Sequence, residues 1–511
     1  MLKQYQHLNE VKRSSGPAAE ENAMFRILIA VFVLFLFALA CWMRWHTLDV
    51  PFDRDSYDEG VYWQSLRALA EGQTLYGQIF YSQPPAFLLS VFPAYLIFGQ
   101  SILAARIGIV LLSLCGMLGA LFVGNVLRGR SGALLALLLL IASPLYLTES
   151  QTLQADAPST ALMLLALGLV YLWWKYPAGL VGYALAILTA IILTLSILSK
   201  LFALADLVPI GLLVLAHLWR IRQQPVGKRL ASCGPLLAGV SVLVLTCFLF
   251  IIPFRDSFPA LWDQVITFHT AAKASSPSTT RDNLHVLIAA LKTPLGVFAL
   301  YGTLVSLVRR DWRILPLLAW FVTICFLLWQ QLPLFPHHLV TLVPPLVLLA
   351  MMSLGPLPVG PHSLRLPLGK SVAIIALCAT IVYFSPVIVS NYQDVQQRSN
   401  GTDVGTSSLV AHDLDAVTQP DQLVITDAQF LAAQADRDTP PLLVDTSLVH
   451  IHSGYLSDAQ LIQLASQPSV HAVLFYTGRL QQMQGFSLWV SQHFRKVHSY
   501  GIGRELWVKM R

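Results

Sequence analysis

Charged residues are scarce in this sequence: Lys, Arg, Asp and Glu make up 12% of its 511 positions, against about 25% in soluble globular proteins. Hydrophobic residues make up 55% and the mean hydropathy is +0.62. These values exclude a soluble globular chain and predict a polytopic membrane protein. The formal net charge of +6 does not indicate a nucleic-acid partner, because membrane proteins concentrate Lys and Arg in short cytoplasmic loops.

Sequence motifs for several chemistries are also missing. The six cysteines include no C-x-x-C pair, which argues against a disulfide framework or a thiolate metal site. P-loops, G-x-G-x-x-G fingerprints, zinc spacings and Ser/His/Asp signatures are absent, so nucleotide-driven chemistry has no support. The first apolar stretch, residues 25–45, is too long for a signal-peptide core and lacks a small-residue cleavage site. We therefore expect a retained anchor after a cytoplasmic tail at 1–24.

Long apolar stretches, in contrast, are abundant. A helix needs roughly 20 apolar residues to cross about 30 Å of hydrocarbon. Allowing a few short segments, this length predicts an all-α membrane domain over residues 25–391 with about eleven transmembrane helices. They are expected at 25–45, 104–127, 131–148, 157–175, 178–198, 201–219, 233–254, 285–308, 314–332, 338–355 and 371–390.

The segment 84–98 decides between eleven and twelve spans. It has fifteen residues, three of them proline, and we interpret it as an interfacial or re-entrant helix. With the N-terminus inside, leaving it out of the count puts the basic loops from Arg128 onward in the cytoplasm, as the positive-inside rule requires. Eleven spans then place the loop 46–100 and the C-terminal region on the external face of the plasma membrane.

Residues 392–511 are the part of the sequence that reads as soluble, and we expect a small external α/β domain there. Its predicted helix is SDAQLIQLAS (457–466), which opens with a Ser-x-x-Gln capping box. Short apolar runs predict buried strands, and a further run predicts an edge strand. The buried strands are LVITDA (423–428), LLVD (442–445) and VHAVLFY (470–476), and the edge strand is RELWVKM (504–510).

The external loop 46–100 carries a cluster of acids where it leaves the first span. Asp53, Asp55, Asp58 and Glu59 lie within seven positions. Asp58 and Glu59 precede apolar residues at helical spacing, which predicts an interfacial amphipathic helix with both acids in its first turn. An acid there could take a proton from an acceptor hydroxyl or amine. It could equally be a solvated acid that caps the helix.

Further polar groups are predicted on the same face. Asp156 begins a span, where an acid is often only an N-cap. Lys200 interrupts a long apolar stretch, where a cation marks either a functional site or a lysine that snorkels to the interface. Asp58 and Asp156 could bind a divalent cation or share a proton, and the sequence leaves both readings open. Lys200 is a candidate for binding a phosphate, and the other candidates are Arg255, His337 and His338.

A family resemblance is carried by YDEGVYWQSLRALAEGQTLYGQIFYSQPPAFLLSVFPAYLIFG (57–99). This stretch resembles the first external loop of the GT-C superfamily of integral-membrane glycosyltransferases, in the branch of protein O-mannosyltransferases and lipid A aminoarabinose transferases. The surroundings of Asp156, Lys200 and His337 are similar to that branch as well, and the likeness covers most of residues 25–390.

The resemblance implies an inverting transfer of a sugar from a polyprenyl-phosphate donor to a lipid, polysaccharide or protein acceptor. It implies that Asp58 is the catalytic base, with Glu59 beside it and Asp156 as a second acidic partner. The interfacial helix would start in the stretch that contains Tyr81, Gln83, Pro84 and Pro85. Many aminoarabinose transferases have Lys where this chain has Gln83, so Lys200, His337 and His338 are expected to bind the donor phosphate instead.

Two other functions remain open at this stage. A secondary transporter or lipid flippase would also use charged residues in the membrane, but it would show inverted repeats and helices broken at the bilayer midplane. A catalytically inactive scaffold that binds partners through the soluble domain would have the same sequence pattern as an enzyme of this superfamily.

Overall fold

The computed structural model describes residues 17–45, 57–354 and 406–510, together with Leu48 and four single positions between 378 and 389. The chain divides into two compact units, Met1–His46 and Thr47–Arg511. The first unit contains helix α1, Pro17–Trp45, which coincides with the predicted anchor. The acids Asp53 and Asp55, most of the predicted span 371–390 and the predicted boundary at 391 lie outside the described residues.

The second unit begins with a region of helices over residues 57–354. These helices are α2 Tyr57–Ala70, α3 Ala86–Ile97, α4 Ile102–Ile141, α5 Pro144–Glu149, α6 Asp156–Lys175, α7 Gly179–Ile197, α8 Leu207–Ile221, α9 Val226–Ile251, α10 Phe258–Trp262, α11 Phe268–Ser275, α12 Thr280–Leu291, α13 Pro294–Val308, α14 Leu315–Gln330 and α15 Val343–Met351. Short 3-10 turns over Leu201–Asp206 and Pro336–Leu342 matter for the site described below.

Seven helical segments of the described chain are long and apolar enough to cross a membrane, or eight if the bent pair α12 and α13 is one span. Every predicted span up to residue 355 coincides with a described helix. The count is lower than eleven for four reasons. The predicted spans 104–127 and 131–148 fall largely within the single segment α4, and the predicted span 285–308 corresponds to the bent pair α12 and α13. The predicted span 338–355 corresponds to a shorter apolar helix, Pro336–Met351, and most of the predicted span 371–390 lies outside the described residues.

A glycine turn resolves the double length of α4. Gly129 has φ +65° and ψ −158°, a conformation outside the helical region, which glycine adopts at little steric cost. A Cβ placed on Gly124 would lie 2.6 Å from the carbonyl oxygen of Gly132, whereas residues eight apart in a straight helix are about 12 Å apart. The chain therefore reverses at Gly129, and α4 consists of two antiparallel arms, as the two predicted spans require.

The segment 84–98 forms helix α3, which has 12 residues. At 1.5 Å per residue it is roughly 18 Å long, too short to cross the hydrocarbon layer. Its first residue, Ala86, donates its backbone N–H to the carbonyl of Leu198 at 2.8 Å. This length agrees with an interfacial or re-entrant helix rather than a twelfth span.

The soluble domain, residues 406–510, is the predicted small α/β domain. Its helices are α16 Thr406–Val417, α17 Gln429–Gln434, α18 Leu448–His452, α19 Asp458–Ala465 and α20 Gln484–His493, and its strands are β1 Leu423–Thr426, β2 Val470–Phe475, β3 Phe494–Ser499 and β4 Glu505–Lys509. The sheet order is β1-β2-β4-β3, with β1 parallel to β2 and the other pairs antiparallel. The predicted capping box at Ser457 is present.

Two details of the soluble domain differ from the prediction. The residues LLVD (442–445) form no strand, because Pro441–Leu443 is a 3-10 turn and the side chain of Asp445 accepts the backbone N–H of Ser447, two residues further on. Strand β4 is not an edge strand, because β3, which the sequence analysis did not predict, pairs with its outer side. Because β3 contains the charged residues Arg495 and Lys496, its sequence does not show the hydrophobic pattern that predicts a strand.

Helix α2 lies between the membrane helices and the soluble domain. A Cβ on Gly60 would come within 2.3 Å of the backbone nitrogen of Phe430, so α2 and α17 are in van der Waals contact. Gln64 donates its side-chain N–H to the carbonyl of Arg437 at 2.9 Å, and Arg67 forms ion pairs with Asp436 and Asp438. The soluble domain is therefore docked on the helix that carries the predicted catalytic acids.

Close packing of α4 against α6 provides a test of this fold. A Cβ on Gly119 would lie 2.2 Å from the carbonyl oxygen of Leu164, so we expect Gly119→Ala to force the helices apart and cost about 1–3 kcal/mol. Gly211, in helix α8, has no atom within 4 Å of its Cβ position, and Gly211→Ala is the matched control. The thermal unfolding midpoint in detergent should fall for Gly119→Ala and stay unchanged or rise for Gly211→Ala. Equal midpoints for the two variants would contradict the packing.

Candidate active site

A cavity of about 600 Å³ opens between the first turn of α2, the turn over Pro336–Leu342 and the soluble domain. The charged and protonatable groups that line it are Asp58, Lys200, His269, His337, His338, Asp445 and Arg479. Tyr81 and Gln83 also line the cavity. Six of the predicted site residues thus meet at one cavity although they come from distant parts of the sequence: Asp58, Tyr81, Gln83, Lys200, His337 and His338.

Asp58 lies in the first turn of α2, and 43% of its side chain is exposed, in the direction of the cavity. Gln154 donates an N–H to its Oδ2 at 3.2 Å. Burial raises the pKa of Asp58, and His337 opposes part of that rise. An exposed carboxylate whose pKa is raised towards neutral pH is suited to accept a proton from a hydroxyl group.

Asp156 and Lys200 form a buried ion pair. Asp156 begins α6, and Lys200 follows the end of α7, where the chain enters the turn Leu201–Asp206. Their side chains are 3% and 11% exposed, and the Nζ of Lys200 lies 2.6 Å from Oδ2 of Asp156. The carboxylate compensates the ammonium charge inside the protein, so the lysine is held in place without a second acid beside it in the sequence.

His337 lies between the two carboxylates. Its Nδ1 is 3.9 Å from Oδ2 of Asp58, and its Nε2 is 3.9 Å from Oδ2 of Asp156. The ring stacks on Phe335 with 5.5 Å between the ring centroids, which fixes its plane. Asp58, His337 and Lys200 line the cavity, whereas Asp156 is buried and does not line it. The contacts of Asp156 with His337 and Lys200 join all four into one continuous row of charged or protonatable groups.

The groups that come closest to forming a metal site are Asp156, His337 and His338, whose ligand atoms lie within 4.8 Å of one another. Two contacts argue against a metal there. Lys200 already occupies Oδ2 of Asp156. His338 accepts the backbone N–H of Phe335 at Nδ1, 3.3 Å away, so in the neutral ring the proton is on Nε2 and no lone pair remains for a cation. Both contacts compete with a metal ion for these residues, and the cation that the structure places beside Asp156 is the lysine.

Comparisons with known proteins agree with this architecture. The family model for dolichyl-phosphate-mannose-protein mannosyltransferase matches residues 31–255. No curated protein matches the chain in sequence. Among solved structures, ArnT from Cupriavidus metallidurans in the apo state has a TM-score of 0.63 at 13% identity, over 96% of this chain and 98% of ArnT.

Two further solved structures are similar over most of this chain. The arabinofuranosyltransferase AftD from mycobacteria has a TM-score of 0.50 at 13% identity, over 95% of this chain and 40% of AftD. The archaeal oligosaccharyltransferase AglB from Archaeoglobus fulgidus has a TM-score of 0.49 at 12% identity, over 94% of this chain and 74% of AglB. The likeness to ArnT establishes the fold, and the match to the mannosyltransferase family model over residues 31–255 supports a membrane glycosyltransferase of the GT-C superfamily.

Glu59 does not line the cavity, contrary to its grouping with the catalytic acids. It is fully buried, and Arg106 donates to its two oxygens at 2.8 and 2.5 Å. The backbone N–H of Leu153 donates to Oε1 at 2.8 Å. These contacts tie the first turn of α2 to α4 and to the residues just before α6, which is a positioning role. Adjacent residues on a helix face different directions, so Asp58 and Glu59 have separate surroundings.

Arg255 is a second residue that the structure places elsewhere. Its side chain is 79% exposed beside Asp256, and it does not line the cavity. Pro84 and Pro85 also lie off the cavity lining and precede α3, while the carbonyl of Gln83 accepts the hydroxyl of Tyr76 at 2.8 Å. Because Gln83 does line the cavity, the position that departs from the family pattern is part of the site.

The sequence analysis did not predict that the soluble domain contributes residues to the cavity. Asp445 and Arg479 line the cavity together with Tyr57. Tyr57 donates its hydroxyl to Oδ1 of Asp445 at 2.9 Å and accepts the backbone N–H of Thr446 at 2.6 Å. Tyr57 directly precedes Asp58 and was detectable as a neighbour, whereas nothing in the local sequence distinguishes Asp445 or Arg479.

The positioning role of Glu59 can be tested by removing one partner of the buried pair. Glu59→Ala leaves Arg106 buried and uncompensated, which we expect to cost about 3–5 kcal/mol of stability. The double variant Glu59→Gln/Arg106→Gln should recover part of that loss, because two amides can bond without an unpaired charge. The measurement is the thermal midpoint of the solubilised protein. A single variant as stable as the wild type would remove Glu59 from the scaffold.

Proposed function

We propose that this glycosyltransferase moves a sugar from a polyprenyl-phosphate-linked donor to a hydroxyl group of its acceptor on the external face of the plasma membrane, with Asp58 as general base. The observation that carries the proposal is the row Asp58, His337, Asp156 and Lys200, of which all but the buried Asp156 line the cavity. A half-exposed carboxylate lies at one end of the row and a fixed ammonium group at the other. The description of the matching family, which names a dolichyl-phosphate-linked sugar, supports the class of donor.

The end of the row at Asp58 is suited to the acceptor hydroxyl, which is the attacking group. Asp58 accepts the proton of the acceptor hydroxyl as its oxygen forms a bond to the anomeric carbon of the sugar. The bond between that carbon and the phosphate oxygen breaks on the opposite face, and its electron pair leaves with the phosphate. A single displacement of this kind inverts the configuration at the anomeric carbon and needs no covalent intermediate on the protein.

The basic end suits the leaving group. Lys200 uses one ammonium proton for Asp156 and has two more to donate to phosphate oxygens. His338 presents an Nε2–H, because its Nδ1 accepts a backbone N–H. Fixed donors at the position where negative charge develops stabilise the transition state without the cost of reorganising water. Lys200 and His338 are thus the proposed donors to the donor phosphate, in a chain that has Gln83 in place of the lysine of many aminoarabinose transferases.

The role of Asp58 predicts the behaviour of a conservative variant. Asp58→Asn keeps the size of the side chain but cannot accept a proton, so we expect sugar transfer to fall by about two orders of magnitude or more while the protein accumulates normally. Asp256→Asn is the matched control, because Asp256 is 90% exposed and pairs with an exposed arginine. Transfer would be followed with a radiolabelled polyprenyl-phosphate sugar. Near-normal transfer by Asp58→Asn would refute the assignment, and an inactive wild type would favour the scaffold alternative.

The raised pKa of Asp58 predicts the pH dependence of the reaction. A general base works only when ionised, so the rate should rise with pH through the pKa of Asp58 and level off above it. Because burial raises this pKa, the rising limb should lie above the ordinary aspartate value of about 4. Since His337 lowers the pKa of Asp58, His337→Asn should move the limb to higher pH. A limb near pH 4, or a shift to lower pH, would contradict this mechanism.

A further inference from the structure

Arg479 is a cation of the cavity wall that the proposed reaction does not use. It belongs to the soluble domain, its side chain is half-buried, and it lines the cavity near the first turn of α2. Its guanidinium forms neither a hydrogen bond nor an ion pair with any residue that the structure describes. Lys200, which also lines the cavity, is in contrast paired with Asp156.

The loop that carries Arg479 is held rigidly. Asp427, which directly follows β1, is fully buried and accepts four backbone N–H groups from the loop after β2. The distances are 2.8 and 3.1 Å at Oδ1, from Tyr476 and Thr477, and 2.9 and 3.1 Å at Oδ2, from Arg479 and Leu480. This loop lies at the carboxyl ends of the parallel strands β1 and β2, the edge at which α/β sheets bind ligands.

The side chain of Arg479 is oriented by an aromatic ring. Its Cζ lies 4.0 Å from the ring centroid of Tyr57, and the hydroxyl of Tyr57 is fixed by Asp445 and Thr446. Stacking occupies one face of the guanidinium plane and leaves the N–H groups at its edge available for an anion. Asp445 does not use them, since its Oδ1 accepts Tyr57 and Ser447 and it forms no ion pair with Arg479 among the described residues.

We propose that Arg479 is an acceptor-binding residue that recognises an anionic group, a phosphate or a carboxylate, close to the hydroxyl that reacts. Tyr57 and Asp58 are consecutive, so a group bound by Arg479 lies beside the catalytic base. Activation by a base is needed for a hydroxyl and not for an anion, which makes the anion a recognition group rather than the attacking atom. The inference rests on the proposed function for the location of the acceptor, and it divides the cavity into a donor end at Lys200 and an acceptor end at Arg479.

The test measures anion binding to the full chain in detergent, after a polyprenyl phosphate has saturated the donor end. Three probes distinguish the sources of the anion: dihexanoyl phosphatidic acid for a lipid headgroup, phenyl phosphate for a soluble phosphate and benzoate for a carboxylate. We expect Arg479→Gln to weaken the best-bound probe by about tenfold or more, the loss of a hydrogen bond to a charged group. The affinity for polyprenyl phosphate should stay within about twofold of the wild type.

Arg504→Gln is the matched control, because Arg504 also stacks on a tyrosine ring of the soluble domain, at 4.7 Å, but does not line the cavity. Arg479→Lys keeps the charge without the planar fork, and we expect an intermediate loss. If Arg479→Gln binds all three probes as the wild type does, the acceptor assignment is wrong, whatever happens at the donor end. If the wild type fails to bind polyprenyl phosphate, the proposed donor is wrong, and the effect of Arg479→Gln on the probes still decides the anion site.

Discussion

The buried ion pair between Glu59 and Arg106 is the interaction on which the geometry of the site depends. It ties the first turn of α2 to α4, and through the N–H of Leu153 to the residues that lead into α6. A half-made pair at this depth would leave an uncompensated charge, so the pair forms in one arrangement or is strongly destabilising. That arrangement fixes the direction in which the neighbouring residue, Asp58, faces. The buried ion pair of Glu59 thus sets the orientation of Asp58, which makes no buried ion pair itself.

The same requirement for compensated charge explains the donor end of the cavity. Lys200 lies where a span ends, and in a low-dielectric setting an isolated ammonium would be costly. Asp156 removes that cost through one contact of 2.6 Å and leaves the remaining protons of the ammonium for a substrate. His337 then links this pair to Asp58 at 3.9 Å on each side. Substrate phosphate would enter a row of charges that is already balanced, so its binding needs no large rearrangement.

Charged residues that interrupt an apolar stretch could be predicted from the sequence. Asp58, Asp156 and Lys200 interrupt apolar stretches, and the structure places all three around one cavity or in its wall. Glu59 could not be separated from Asp58, because adjacency in sequence says nothing about which face of a helix each residue occupies. Arg255 was a candidate for binding a phosphate, although its side chain is exposed and does not line the cavity. The helices were predictable from length and hydropathy. Two of them are the arms of α4, which the turn at Gly129 joins.

The contribution of the soluble domain was beyond local reasoning for a different physical reason. Arg479 reaches the cavity only because Asp427 holds its loop and because α17 packs against Gly60 of α2, and both contacts join segments that are distant in the chain. Helix α2 therefore has one partner in the membrane region, through Glu59, and another in the soluble domain, through Tyr57, Gln64 and Arg67. In the proposed reaction, donor contacts come from the first partner and acceptor contacts from the second. A chain built in this way can change the surface offered to its acceptor in the soluble domain while the charges that stabilise the leaving phosphate stay in place.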